Sequence, residues 1–127
     1  MIVGFDHIHI YCGDIEKGAD YFREFFGGKE LSREKRPDSI RVIRMDVHGV
    51  PILLMTVLKE NGQLDPGKGR RGLDHLGFKV KDLKSTLEEM KKKGVPITKD
   101  LTVTPAGVKM AFVEGPEGIR IELIERE

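Results

Sequence analysis

From Ile8 to Cys12 the chain alternates apolar and polar residues. Ile8, Ile10 and Cys12 therefore share one face of an extended segment, and His7, His9 and Tyr11 share the other. A period of two predicts a strand with one buried side. Asp14 then stands where a helix N-cap belongs, and Ile15, Ala19 and Phe22 recur at i, i+4 and i+7. Gly27 is placed to cap the C-terminal end of that helix. Farther along, the β-rich runs IRVIRMDV and VPILLMTVL flank His48-Gly49 and predict two strands joined by a tight turn.

The same order of elements is then written a second time. Placing His7 on His75, a shift of 68 positions, also pairs Asp6 with Asp74, Ile8 with Leu76, Ile10 with Phe78 and Asp14 with Asp82. Leu76, Phe78 and Val80 repeat the apolar face, Leu83, Leu87 and Met90 repeat the helical stripe, and Gly94 repeats the cap. The runs VKMAFVE and IRIELIE flank GPEG as the second strand pair, in register with the first after one extra residue. The pattern predicts an α+β fold of two tandem βαβββ modules in a single domain over residues 1–127, with module 1 at about 1–58, a Gly-rich charged linker at about 59–72 and module 2 at about 73–127. A lone module would leave a sheet face and its edges uncovered. Two copies are therefore expected to pack together, within one chain or between chains, with a site in the groove between their sheets.

Composition narrows the function. Of 127 residues, 22 are Lys or Arg and 21 are Asp or Glu, so the formal charge of +1 supplies no field that would gather nucleic acid or anionic membrane. No run reaches bilayer length and no signal peptide is visible at the start. The single cysteine, Cys12, excludes an internal disulfide or an all-cysteine metal cage and suits a reducing cytoplasm. The charged stretches EEMKKKG and REKRP read as solvated surface, because acids interleave and no aromatic platform accompanies them.

The chemistry-bearing residues cluster by position. His7 and His75 occupy equivalent places on the strand face opposite the apolar residues, where two related modules would turn both imidazoles toward a shared groove. Glu122 sits between Ile121 and Leu123 in the last strand, either as a solvent-facing residue or as a ligand. Two imidazoles and one carboxylate suit one divalent ion of Mn, Fe, Ni, Co or Zn and leave positions open for substrate oxygens. His9, two residues past His7 and replaced in the second copy by Gly77, is a candidate catalytic imidazole or an ordinary strand histidine, with Tyr11 farther along the same face. His48 belongs to a turn and is expected in solvent; Asp6 and Asp74 could orient the adjacent histidines or simply open their strands. Arg70 and Arg71 read as linker charges, and GPEG as a hairpin turn without phosphate-loop context.

The stretches DHIHIYCGDIEKGADYF, GLDHLGFKVKDL and FVEGPEGIRIELIE together resemble the vicinal oxygen chelate superfamily, which includes glyoxalase I, methylmalonyl-CoA epimerase, extradiol dioxygenases and fosfomycin-resistance proteins. The resemblance spans essentially the whole chain. It implies paired modules forming an open cup-shaped mixed sheet around a divalent metal, with ligands from the first and last strands of each module: His7, His75 and Glu122. The remaining last-strand position falls on Leu53, with Leu54 beside it, so the fourth ligand of glyoxalase I and the epimerases is missing. The resemblance implies a lyase, isomerase or epimerase acting on a small 2-oxo or 2-hydroxy compound or its thioester, with Glu122 or His9 as the base. It implies as alternatives an Fe(II) extradiol-type dioxygenase or a non-catalytic, bleomycin-resistance-like sequestering protein. A homodimer, with modules paired within or exchanged between subunits, is expected.

Overall fold

The computed structural model describes residues 6–37, 39–56 and 75–126. The expected linker with Arg70 and Arg71, and Asp74, lie outside them. The chain divides into two compact units, Met1–Gly62 and Gln63–Glu127. Among the described residues no helix is long and apolar enough to cross a membrane.

The first unit holds strand β1 (Ile8–Cys12), helix α1 (Ile15–Phe26) and strands β2 (Lys29–Lys35), β3 (Arg41–Val47) and β4 (Val50–Thr56). Its four strands form a mixed sheet in the order β1-β4-β3-β2, in which only the β1–β4 pair is parallel. The alternation expected in β1 is realised: Ile10 and Cys12 are buried, while His9 and Tyr11 are exposed. Asp14 caps α1 by accepting the Lys17 N–H at 3.1 Å, and Gly27 ends it at φ 65°, a left-handed conformation costly for a residue with a Cβ. Ile15, Ala19, Phe22 and Phe26 turn inward onto Ile43, Met45, Ile52 and Leu54. His48 and Gly49, at φ 52° and 85°, make the two-residue hairpin of β3 and β4, and His48 is exposed as expected.

The second unit repeats this plan with β5 (Leu76–Lys79), α2 (Leu83–Lys92), β6 (Ile97–Val103), β7 (Lys109–Glu114) and β8 (Arg120–Glu125), in the order β5-β8-β7-β6. Asp82 caps α2 through the Ser85 N–H at 3.1 Å. At its other end Gly94, φ 83°, lets the Val95 and Gly94 N–H groups return to the Met90 and Lys91 carbonyls at 3.0 and 3.1 Å. Leu83, Leu87 and Met90 are buried on this helix, and Ala111, Val113, Ile121 and Leu123 on the strands behind it. The two registers also locate the extra residue. Met45 pairs with Ile52 and Val113 with Ile121, so the second hairpin is one residue longer, at the turn that holds Glu117 at φ 59°.

Candidate metal centre

On the sheet face turned away from α2, the second unit brings two of the expected ligands together. His75 immediately precedes β5, and its strand neighbour Gly77 pairs in register with Glu122 of β8. His75 Nε2 lies 3.1 Å from Glu122 Oε2; with its proton on Nε2 the imidazole donates to the carboxylate. The Glu122 side chain is 15% exposed and that of His75 33%, so Glu122 is partly buried rather than a solvent-facing strand residue.

Phe112, which sequence reasoning passed over, completes this corner. It is the cross-strand partner of Glu122, and the His75 ring meets it edge to face with centroids 5.3 Å apart at 87°. Arg120 covers the same ring, its guanidinium carbon 3.7 Å from the centroid. The signal for both residues was present in the hairpin register across GPEG, where they share a face with Glu122.

The first unit holds the other candidates. His7 Nδ1–H donates to Asp6 Oδ2 at 2.7 Å, the orienting contact considered for Asp6, and in that tautomer Nε2 carries the lone pair. The His9 and Tyr11 rings lie in contact, tilted by 46° with centroids 4.5 Å apart. Burial, then the neighbouring His7 and Arg36 charges, lower the pKa of His9 below the usual histidine value. The register also identifies the counterpart of Glu122: His9 pairs with Leu53 as Gly77 pairs with Glu122, so the two positions are equivalent. Leu53 packs beside Ile40, Val42 and Met55 and offers no donor atom.

Among the described residues no three His, Cys, Asp or Glu side chains form a ready group for a metal ion. The His75–Glu122 pair is nevertheless suited to one. Two ligands with bonds of about 2.1 Å at tetrahedral or octahedral angles stand roughly 3.0–3.4 Å apart, which brackets their 3.1 Å separation. One imidazole nitrogen and one carboxylate oxygen are donors of the type that borderline divalent ions accept.

Relatives share this plan. The chain is 26% identical over 121 residues to a probable lactoylglutathione lyase of Synechocystis, covering 94% of this chain and 92% of that protein. A glyoxalase family protein from Enterococcus faecalis has the same fold at a TM-score of 0.80, with 21% identity and coverage of 96% and 97%. The fosfomycin resistance protein FosX from Listeria monocytogenes, solved with Mn(II) and sulfate, aligns at a TM-score of 0.75 and 18% identity, covering 100% of this chain and 95% of that one. The model of the Glyoxalase/Bleomycin resistance protein/Dioxygenase superfamily matches residues 4–123, and the chain belongs to that superfamily.

Proposed function

We propose that the chain is a divalent-metal-dependent enzyme of the glyoxalase type, a lyase or isomerase acting on a small 2-oxo or 2-hydroxy compound or its thioester. The observation that carries this reading is the His75–Glu122 pair, set at ligand spacing on the sheet face that α2 does not cover. In this proposal His75 and Glu122 hold the ion; the expected third ligand, His7, has its ring fixed by Asp6, which leaves Nε2 as its donor atom. The bound ion would supply Lewis acidity toward two neighbouring substrate oxygens.

The chain's own groups do the rest. The role of base is assigned to His9, because Glu122 is committed to the ion and its loss as a ligand would be costly. Tyr11 lies against the His9 ring in a tilted contact. The protein works in the cytoplasm as a homodimer. Lactoylglutathione lyase names among the relatives favour the lyase reading, and Mn(II) in FosX favours a divalent ion. Leu53, where a fourth ligand would stand, favours a second reading as a metal-free sequestering protein.

Elemental analysis of protein purified without an affinity tag tests the choice. About one transition metal ion per chain is expected, lost in His75→Ala and in Glu122→Ala. Protein that takes up no metal even on reconstitution overturns the enzyme reading in favour of sequestration. Proton exchange at a substrate carbon in deuterated water would mark the isomerase, and oxygen consumption on catechols by the iron form would mark a dioxygenase instead.

A further inference from the structure

The sheet face that carries His75 and Glu122 also carries a held cation. Arg120 and Glu122 are alternate residues of β8, so their side chains leave the strand on the same side. Phe112 binds the arrangement together: it stands opposite Glu122 in the ladder, takes the edge contact of His75 and lies under the Arg120 guanidinium. At 4% exposure that ring cannot swing aside, so the guanidinium rests on a fixed surface. A guanidinium held over a ring keeps its N–H donors at its edge, and the edge is what pairs with a carboxylate in a two-pronged contact. Glu114 is the backbone ladder partner of Arg120.

We propose that Arg120 is a specificity-determining residue that binds a carboxylate or similar anionic group on the substrate. The inference rests on the metal reading above. Two positions along a strand is about 7 Å, so the oxygen of the far anionic group lies roughly five bonds from the oxygens held near His75 and Glu122. The substrate class is thereby narrowed to small 2-oxo or 2-hydroxy acids with a negatively charged far end.

The test is calorimetric titration of the manganese-loaded protein with 2-hydroxyglutarate and with 2-hydroxypentanoate. Both carry the same vicinal oxygens and five-carbon chain, and they differ by a terminal carboxylate in place of a methyl. The native protein is expected to bind the dicarboxylate at least about tenfold tighter, the discrimination of one charge-assisted contact. Arg120→Ala and Arg120→Gln should reduce the ratio to about twofold or less with affinity for 2-hydroxypentanoate unchanged, and Arg120→Lys should retain part of the preference. Circular dichroism melts identify any variant that has lost its fold, and Arg120→Gln, which keeps the bulk over Phe112, guards against that outcome. Manganese uptake without discrimination, or a ratio that survives in both variants, overturns the role of Arg120 alone. Failure to take up manganese overturns the metal reading together with it.

Discussion

At Gly77 the absence of a side chain leaves room for the Glu122 carboxylate. A Cβ there would meet Glu122 Oε2 at 3.6 Å, an ordinary contact, whereas a longer side chain would occupy the space of the carboxylate. Gly77→Ala is therefore expected to bind metal as the native protein does, and Gly77→Leu at least about tenfold more weakly, read by competition with a chromogenic chelator. Gly115 is constrained differently. A Cβ there would sit 2.6 Å from Ile121 Cδ1 and 3.3 Å from the Ile119 carbonyl, with Ile121 fully buried. Gly115→Ala should lower stability by about 1–3 kcal/mol in urea denaturation. His75 was marked in the sequence by repetition, and Glu122 by its place between Ile121 and Leu123 together with the resemblance. Phe112 and Arg120 could be placed on the face of Glu122 from the hairpin register, but their ring and cation contacts depend on cross-strand packing that no single stretch of sequence specifies.

Helix ends were the most legible elements, because an N-cap depends on a local bond that its own sequence specifies. Asp14 and Asp82 each cap as their position implies, and either Asp→Ala change should cost about 1 kcal/mol, measured by thermal melting. What ties α1 to its sheet edge was not legible. Glu16 accepts from Arg33 Nη1 at 2.8 Å and from Arg41 Nη2 at 2.6 Å, joining the helix to β2 and β3 over separations of 17 and 25 residues. Hydrogen bonding from Arg33 leads the causes that lower the pKa of Glu16 below its ordinary value. A depressed carboxylate stabilises the fold above its unfolded pKa, and that contribution is lost as pH falls through the folded value. Acid titration of the native protein should thus show stability falling below about pH 4.5, and Glu16→Gln should flatten that part of the profile. The effect is about 0.5–1 kcal/mol, since solvent screens these half-exposed partners.

For the molecule as a whole, duplication was the strongest signal in the sequence, and both sheets reproduce it strand for strand. Repetition was legible because each copy needs the same apolar positions to bury its own helix. The assembly state depends on surfaces that carry no comparable periodicity. The proposed homodimer predicts sedimentation at twice the 14.3 kDa chain mass, and a purely monomeric species would eliminate exchange of modules between subunits. Equivalent rungs of the two ladders hold His9 beside Leu53 in one half and Gly77 beside Glu122 in the other. The backbone pairing is thus indifferent to what its rungs display, so each half is free to diverge in chemistry while its partner preserves the architecture. The double change Leu53→Glu with His9→Gly would therefore place the second half's rung inside the first without altering the pairing of its backbone.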